Sequence, residues 1–536
     1  MSKKRVCSGL ILLMFLTITL AGCSEKNSET PVLEDETETD EIQESTNHNE
    51  EEDMEKYFKD ITLTESLKPY GYKNPIMTQR FGADPYAISY NGRVYVYMTG
   101  DVIEYDSDGN ALNNSFSRIN TLNVISSDDL VNWTDPGGIK AAGRDGAAKW
   151  GNNSWAPAVA HKKIDGQDKF FIYFANGGNG IGVLTADSPI GPFVDPLGEA
   201  LISRSTPNCG NVAWLFDPAV LVDDDGTGYL YFGGGIPNEQ FANPGTGRVV
   251  QLADDMISLA GVPKSMDTPY LFEDSGINKI GDTYYYSYCS NWNVDPEDGR
   301  ELGFNSAEIV YMTSKDPMGP FELQGSILRN PGHFFGIHGT NHHCMFEHNE
   351  QMYIAYHTQI VENRMGISEG YRNTHIDPVT INEDGSIKPI MATEFGPKQL
   401  KGLDPYEKVE AETIGTMAGI STVLIDEIAE NSGTGNMAVA DMNTRDWMAV
   451  YGADFGDEGA NTFTANVKAP KEGFGIIQIR LDKPTGDAIG YLKIEADGSG
   501  DFKEITTNLS TTITGEHDLV FVFYGEGYEI DYWSFK

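Results

Sequence analysis

Residues 217–235 read DPAVLVDDDGTGYLYFGGG. The stretch places an Asp-Pro pair before a short apolar strand, then a tight Asp-Gly turn and a returning strand rich in aromatic residues. It therefore predicts one β-hairpin that begins with an acidic residue, Asp217.

The same plan recurs along the chain and forms an internal repeat. Further hairpins begin at Asp84, Trp155, Glu273 and, more loosely, Thr340, at spacings of roughly 55 to 70 residues. Each interval holds a second strand pair around a Ser/Asp/Pro turn, as in LNVISSDDLVNW, GVLTADSPIGPF and VYMTSKDPMGPF. Four strands per repeat, repeated five times, predict an all-β chain with a five-bladed β-propeller.

Three of the five hairpins begin with an acidic residue, namely Asp84, Asp217 and Glu273. The first strand of each propeller blade lines the central channel, so these side chains should face one another across it. Gathering three carboxylates costs stability through repulsion and desolvation, which indicates a functional use. Glycoside hydrolysis requires one carboxylic acid that donates a proton and one carboxylate that activates water. Residues on opposite sides of a channel suit the wider separation of an inverting hydrolase, about 6.5–9.5 Å.

The first 23 residues follow the pattern of a bacterial lipoprotein signal. Lys3, Lys4 and Arg5 precede the apolar run LILLMFLTITLAG, which ends at Cys23. We expect cleavage before Cys23, a lipid on its thiol and attachment to the bacterial cell surface; a plain secretory signal or an uncleaved helix is the alternative. Residues 24–60 are expected to form an acidic, disordered tether, or alternatively an acidic interaction tail.

Charge and cysteine content exclude several classes of protein. A formal charge of −42 would repel nucleic acid and anionic membrane surfaces, so membrane contact is expected only through the lipid anchor. Cys209, Cys289 and Cys344 are too few and too scattered for a disulfide framework or a C-x-x-C zinc site. We expect a monomer.

The character of the chain changes near residue 400. Residues 401–536 contain regularly spaced short strands, such as TFTANVKA and GIIQIRLD, between Gly and Asp turns. This pattern predicts a second domain with a β-sandwich fold of the jelly-roll kind. The expected domains are thus a signal peptide (1–23), the tether (24–60), the propeller (61–400) and the sandwich (401–536).

Several motifs in the repeats resemble glycoside hydrolase family 43, among them FGADPYA, WAPAV, FDPAVLVDDDGTGYLYFGGG, FEDSGINK and GTNHHCMFEHNEQMYIAYH. The resemblance covers residues 74–400, with the motifs in the family's order. It implies that Asp84 is the general base, Glu273 the general acid, and Asp217 the residue that tunes and orients the acid. Asp274 competes for the acid role, but neighbours on a strand point to opposite faces.

Other channel residues are candidates for binding sugar or metal. Aromatic rings present apolar faces to sugars, and arginine offers a fork of donors to hydroxyl groups; the candidates are Trp155, Trp214, Trp292, His343 and Arg372. Core packing is the alternative for each tryptophan. His342 matches a family histidine that in many relatives helps to hold calcium, mostly through water, and a buried, hydrogen-bonded histidine is the alternative.

The segments KVEAET, DWMAVYGADFG and EIDYWSFK resemble a family 6 carbohydrate-binding module. The resemblance implies a structural calcium ion held by Glu410, Glu412 and Asp531, whose carboxylate oxygens suit it; solvated surface acids are the alternative. Relatives that bind sugar at the loop-end cleft use two aromatic residues, where this chain has Asp441 and Ile505. We therefore expect weak or no sugar binding in that cleft.

The family resemblance implies an inverting hydrolase that removes α-L-arabinofuranosyl side groups from arabinoxylan or its oligosaccharides. A β-xylosidase, or a mixed enzyme acting on xylan fragments, is the nearest alternative, because the two pentoses present similar hydroxyl groups. An alternative of another class is a non-catalytic, lipid-tethered glycan-binding protein. Its signature would be a missing acid at one of the three hairpin starts, and all three acids are present.

Overall fold

The computed structural model describes residues 54–536 of the chain. The signal peptide with Cys23, and residues 24–53 of the expected tether, lie outside the described residues. Within residues 54–536 no helix is both long and apolar enough to cross a membrane.

Five antiparallel sheets follow one another between residues 83 and 379, which confirms the propeller prediction. Strands β1 to β5 are Ala83–Tyr90, Arg93–Thr99, Thr121–Ser127, Trp133–Thr134 and Gly138–Lys140. Strands β6 to β9 are Trp155–Ile164, Gln167–Ala175, Gly180–Ala186 and Ile202–Ser203. Strands β10 to β13 are Ala219–Val222, Gly228–Phe232, Arg248–Gln251 and Lys264–Ser265. Strands β14 to β17 are Leu271–Ile280, Thr283–Ser290, Ile309–Ser314 and Glu322–Leu328. Strands β18 to β20 are His343–His348, Gln351–Thr358 and Asn373–Val379.

Short helices lie between strands of the propeller. They are the 3-10 turn Phe116–Arg118 and the α-helices Pro296–Leu302, Gly332–Phe335 and Ile360–Arg364. The Pro296–Leu302 helix is capped by Asp295, whose side chain accepts hydrogen bonds from two backbone N–H groups of the first turn. Such an N-cap satisfies donors that the helix leaves unpaired.

The segment before β1 closes the ring of blades. The N–H group of Ile76 donates to the carbonyl of Thr374 at 2.9 Å, and that of Gly82 donates to the carbonyl of Arg372 at 2.9 Å. The segment thus lies beside β20, the third strand of the last blade, and joins that blade to the first. The closure brings Arg372 next to the start of β1.

Four blades begin with a residue in the left-handed backbone region. Asp84, Ala156, Asp217 and Asp274 have φ angles of 48°, 40°, 47° and 69°. Such a conformation costs about 1–3 kcal/mol at a non-glycine residue and tends to occur at functional sites. By this criterion Asp274, and not Glu273, is the counterpart of Asp84 and Asp217 in the repeat. Glu273 stands one residue earlier, beside an irregularity of the β14–β15 pairing.

The remaining strands form the predicted β-sandwich. Strands β21 to β26 are Val409–Glu410, Thr413–Ile414, Thr416–Ala418, Ser421–Glu427, Gly435–Ala440 and Trp447–Asp454. Strands β27 to β32 are Ala460–Lys468, Phe474–Leu481, Ala488–Glu495, Phe502–Ile513, Glu516–Tyr524 and Glu529–Phe535. One sheet has the order β24-β25-β32-β27-β30 and the other the order β23-β26-β31-β28-β29. Apolar side chains of both sheets form one buried core.

The sandwich shares a sheet with the propeller. Strand β22 pairs antiparallel with β4, so that Thr413 is opposite Thr134 and Ile414 is opposite Trp133. Elsewhere in the junction, the side-chain amide of Asn132 donates to the carbonyl of Tyr451 at 2.8 Å. These bonds fix the two domains to each other through their backbones.

The domain boundaries differ from the prediction at the N-terminal end of the described chain. Phe58 is 6% exposed, and it packs with Trp447, Tyr491 and other side chains of one sandwich sheet. Further along, the indole N–H of Trp447 donates to the carbonyl of Thr64 at 2.9 Å. The prediction that residues 54–60 belong to a disordered tether is therefore wrong, because their apolar side chains pack on the sandwich. We name residues 54–70 the N-terminal strap.

Candidate active site

The three predicted carboxylates converge on one cavity of about 110 Å³ at the propeller channel. Its lining residues are Asp84, Phe116, Ile119, Trp155, Phe216, Asp217, Glu273, Thr340, His342 and Arg372. They come from all five blades and from loops that connect strands within them. The structure thus brings together residues that lie far apart in the sequence, as the repeat predicted.

Asp84 is held as an ionised carboxylate. Its Oδ1 atom accepts a hydrogen bond from Nη1 of Arg372 at 2.9 Å, and its backbone N–H donates to Nδ1 of His357 at 3.0 Å. Burial alone would raise the pKa of Asp84, but the charge of Arg372, with His342 and His357, outweighs burial and lowers the pKa below its usual range. An ionised carboxylate in this position can accept a proton from water.

Glu273 has the opposite protonation preference. Burial, followed by the charges of Asp84 and Asp274, raises the pKa of Glu273 to about 8, although Arg372 opposes the shift. The carboxyl group therefore keeps its proton near neutral pH. A base with a lowered pKa and an acid with a raised pKa in one cavity are the pair that general acid–base catalysis uses.

Asp217 lies beside this pair. Burial and the charges of Glu273 and Asp84 raise its pKa well above the usual value. Its Oδ2 atom accepts a hydrogen bond from the backbone N–H of Asp274 at 3.1 Å, which fixes it next to the acid-bearing strand. The expected charge effect on Glu273 comes from Asp84 and Asp274, whereas Asp217 is placed to orient the strand that carries Glu273.

Asp274 and the two neighbouring histidines form a buried chain of hydrogen bonds. Oδ2 of Asp274 lies 2.6 Å from Nδ1 of His343, and Nε2 of His343 lies 2.7 Å from the Ser287 hydroxyl. Oδ1 of Asp274 lies 3.1 Å from Nε2 of His342. The prediction that His343 binds sugar is therefore corrected, because its ring is buried and both of its nitrogens contact protein atoms. His342, and not His343, lines the cavity.

Arg372 is the most firmly held cation of the cavity. Its Nε and Nη2 atoms donate to the two carboxylate oxygens of Asp101 at 3.0 and 2.9 Å. Its guanidinium carbon lies 5.0 Å from the centre of the Phe116 ring, within the range of a cation–π contact. Arg372 lines the cavity as predicted, and its surroundings fix the orientation of the donor fork.

The three predicted tryptophans occupy different positions. Trp155 lines the cavity, and its indole N–H donates to the Phe116 carbonyl at 2.8 Å. Trp214 is 38% exposed and packs edge-on against Phe216 and Phe272, the residues before Asp217 and Glu273. Trp292 is 43% exposed and does not line the cavity. None of the three is a core residue, so the core-packing alternative is wrong for them.

Sequence reasoning missed Asp101, Phe116 and His357, and it also missed three further lining residues, Ile119, Phe216 and Thr340. Asp101 follows β2 of the first blade, and His357 lies near the end of β19 in the last blade. Both are polar residues at the same sheet edge as Asp84, and this signal could have identified them. Phe116 lies in the irregular segment between β2 and β3. No periodic pattern marks such a loop residue.

A direct bond from His342 to calcium does not fit this position, whereas the contact through water that the resemblance implies stays a prediction. Nε2 of His342 faces Asp274, and its Nδ1 lies 3.5 Å from Asp84, while calcium prefers oxygen ligands. Among residues 54–536, no group of three or more His, Cys, Asp or Glu side chains is arranged to hold a metal ion.

The sandwich offers a better fit to calcium. One carboxylate oxygen of Glu410 and one of Glu412 are buried without a hydrogen-bond partner, which costs stability unless a cation is bound. Asp531, the third predicted ligand, accepts hydrogen bonds from the amides of Asn436 and Asn466, each at 2.7 Å. The two carboxylate oxygens that lack hydrogen-bond partners are ligands of the kind that calcium prefers. Asp531, in contrast, already accepts hydrogen bonds from protein groups.

The sequence and structure match known proteins over both domains. Residues 72–387 match the family described as glycosyl hydrolases family 43, and residues 410–536 match the carbohydrate-binding module family 6. An arabinoxylan arabinofuranohydrolase of Paenibacillus polymyxa is 49% identical over 87% of this chain and 74% of its own. One of Bacillus subtilis (strain 168) is 47% identical over 88% of this chain and 94% of its own.

A solved structure agrees with these matches. The crystal structure of a Bacillus subtilis family 43 arabinoxylan arabinofuranohydrolase in complex with cellotetraose has a TM-score of 0.83 and 46% identity, and the match covers 88% of this chain and 99% of that one. The fold, the convergent carboxylates and these matches lead to one assignment: the chain belongs to glycosyl hydrolases family 43 and carries a family 6 carbohydrate-binding module.

Proposed function

We propose that the protein is an inverting α-L-arabinofuranosidase that removes arabinofuranosyl side groups from arabinoxylan or its oligosaccharides. The observation that carries the proposal is the opposite protonation of Asp84 and Glu273 in one cavity. The substrate class is that of the two relatives described above, both of which are named arabinoxylan arabinofuranohydrolase.

The proposed reaction is a single displacement at the anomeric carbon. The sugar enters the cavity with its ring against Trp155, and Arg372 donates to its hydroxyl groups. Glu273 gives its proton to the glycosidic oxygen while the ionised Asp84 takes a proton from the attacking water. Asp217 keeps the acid-bearing strand in place through its bond to Asp274. The leaving polysaccharide chain departs from the Glu273 side, because the acid protonates the leaving oxygen.

The surface next to Glu273 has room for a polymer. An open groove is lined by residues 239–243, by Tyr270 and by residues 293–295, and Tyr270 precedes Glu273 by three residues. Amide and aromatic side chains such as Gln240, Asn243 and Phe241 suit neutral sugars. A small cavity for one sugar, together with a separate groove that includes Tyr270 on the strand-entry segment before Glu273, favours removal of single side groups from a longer chain.

A β-xylosidase is the second candidate, because a small cavity of this kind accepts either pentose. A form lacking residues 1–23 is incubated with wheat arabinoxylan and the sugar released in the first minutes is followed by proton NMR. β-Arabinose as the first product supports the proposal, and α-arabinose contradicts inversion. Xylose assigns the second candidate, and the absence of any sugar supports a non-catalytic glycan-binding protein.

We propose that the sandwich mainly braces the propeller. Asp441 accepts a hydrogen bond from Ser421 and Ile505 packs against the sandwich core, so neither offers a ring face for sugar. The backbone pairing of β22 with β4 supports the bracing role. Glu410 and Glu412 would hold a calcium ion that offsets their charge. Full-length protein whose retention on insoluble xylan depends on Asp441 would contradict this role.

We also propose that the mature protein is a monomer that is anchored to the outer face of the bacterial membrane by lipid on Cys23. The sequence pattern of residues 1–23 supports the anchor. Detergent-phase partitioning of the protein from its native host tests it, with Cys23→Ser as the control. Recovery of the unaltered protein in the aqueous phase would contradict the anchor, and a dimer mass in light scattering would contradict the monomer.

A further inference from the structure

Asp101 lies behind Arg372, and its carboxylate faces the guanidinium and not the cavity. Its two oxygens accept hydrogen bonds from Nε and Nη2 of Arg372 at 3.0 and 2.9 Å, and Oδ2 also accepts the Arg372 backbone N–H at 3.1 Å. Both side chains are buried. This pairing of planar groups fixes the direction of every remaining N–H donor of the arginine.

We propose that Asp101 is a positioning residue for the reaction, which acts on the base Asp84 through Arg372. A guanidinium has five N–H donors, of which Asp101 takes two and Asp84 takes one. The two remaining N–H donors belong to Arg372, which lines the cavity. Arg372 therefore binds the base and offers hydrogen bonds to the sugar at the same time, in an orientation that Asp101 sets.

The surroundings of Asp101 make this orientation rigid. Phe116, from the same inter-strand segment as Asp101, lies over the guanidinium. The Tyr371 hydroxyl donates to the Leu112 carbonyl at 2.9 Å and accepts the Glu104 N–H at 3.2 Å. The segment that carries Asp101 and Phe116 is thus tied to the residue before Arg372.

A neutral side chain at position 101 would not replace Asp101 in its pair with Arg372. Asn at position 101 offers one acceptor oxygen and two N–H donors, so one of the two bonds to the guanidinium becomes a donor–donor contact. Arg372 can then turn away from Asp84. A displacement of about 1 Å in a catalytic group can cost about 100-fold in rate.

The test compares Asp101→Asn, Arg372→Lys and the double variant, and measures kcat and KM on 4-nitrophenyl α-L-arabinofuranoside and on the matching β-D-xyloside. We expect Asp101→Asn to lower kcat by about 10- to 100-fold, with a smaller change in KM. Because Asp101 acts through Arg372, the double variant should be no slower than Arg372→Lys alone, which is the signature of coupled residues.

Asp135→Asn is the matched control. Asp135 is also buried and pairs with an arginine, Arg80, through both carboxylate oxygens, but it does not line the cavity. Asp135→Asn should lower the melting temperature and leave kcat per folded molecule within about twofold, because the Asp135–Arg80 ion pair stabilises the fold and does not line the cavity.

Three results overturn the proposal: a kcat for Asp101→Asn within twofold of the unaltered protein, a double variant that falls by the product of the single losses, or a kcat loss of equal size in Asp135→Asn. The proposal rests on the proposed function insofar as Asp84 is the base. Because each variant is compared with the unaltered protein on whichever pentoside is cleaved, cleavage of xyloside alone would contradict the arabinofuranosidase assignment and still decide the role of Asp101. If neither pentoside is cleaved, the same variants are compared by the sugar that they release from wheat arabinoxylan; release of no sugar by the unaltered protein would contradict the proposed function, and equal release by Asp101→Asn and the unaltered protein would contradict the role of Asp101.

Discussion

Oδ2 of Asp274 lies 2.6 Å from Nδ1 of His343, and both side chains are fully buried. Because of this contact, the adjacent acids Asp274 and Glu273 have different roles. Asp274 takes the strained position that Asp84 and Asp217 occupy in their blades, and its carboxylate is used by the two histidines. Glu273, one residue earlier, lines the cavity with its proton retained.

The first prediction separates these two acids by their dependence on the leaving group. Glu273→Gln should lose at least about 100-fold in kcat on arabinoxylan oligosaccharides, since acid catalysis contributes about 10²–10⁴-fold. It should lose much less on 4-nitrophenyl α-L-arabinofuranoside, because nitrophenolate leaves without a proton. Asp274→Asn should lower both rates by a similar factor. Equal losses on both substrates for Glu273→Gln would contradict its role as the acid.

The second prediction concerns the pH dependence of kcat/KM. The base must be ionised and the acid protonated in the free enzyme. Because the pKa of Asp84 is lowered and that of Glu273 is raised to about 8, activity should form a plateau from acidic to neutral pH and fall as pH rises through about 8. Initial rates on arabinoxylan oligosaccharides, whose leaving group needs the proton of the acid, measure the profile at constant ionic strength. The alkaline limb should be absent in Glu273→Gln, and its persistence there would contradict the assignment.

The sequence was sufficient for the blades, the sandwich and the three carboxylates, because alternating apolar residues and turn residues repeat with a regular period. It was not sufficient for residues whose position depends on long-range packing. The repeat aligned Glu273 with Asp84, whereas the backbone angles align Asp274 with Asp84. His342 and His343 are neighbours in sequence, and only the structure separates the cavity residue from the buried one. The charged neighbours of Phe58 in the sequence favour a place in the acidic tether, whereas in the structure its ring is buried against the sandwich.

The third prediction tests the N-terminal strap. Phe58→Ala should lower the free energy of unfolding by about 3 kcal/mol, the usual lower range for a buried phenylalanine, because the ring is 6% exposed and packs on Trp447 and Tyr491. Phe395→Ala is the control: this ring is 69% exposed, so we expect a loss below about 1 kcal/mol. Chemical denaturation of the form lacking residues 1–23 measures both. Equal losses for the two variants would show that the strap contributes no specific packing.

The last prediction concerns Glu412 and calcium. Burial, with the nearby charges of Glu410, Asp135 and Asp531, raises the pKa of Glu412 to about 9. A carboxyl group whose pKa is raised on folding contributes stability below its unfolded pKa and loses that contribution as pH rises through its folded pKa. Without calcium the protein should therefore lose stability between about pH 4.5 and pH 9. Bound calcium should reverse this loss, by about 2.7 kcal/mol at 100 times its dissociation constant.

Glu412→Gln separates the effect of this carboxylate from general ion effects. In EDTA at pH 8 it should melt at a higher temperature than the unaltered protein, because the carboxyl group, with a folded pKa of about 9, must take up a proton on folding at this pH and the amide need not. In calcium it should melt at a lower temperature, because a ligand is lost. Glu504→Gln is the matched control, since Glu504 is exposed on the sandwich sheet that β21 joins and accepts a hydrogen bond from Tyr532. Calorimetric scans that show the same calcium shift in Glu412→Gln and in the unaltered protein would place the ion elsewhere.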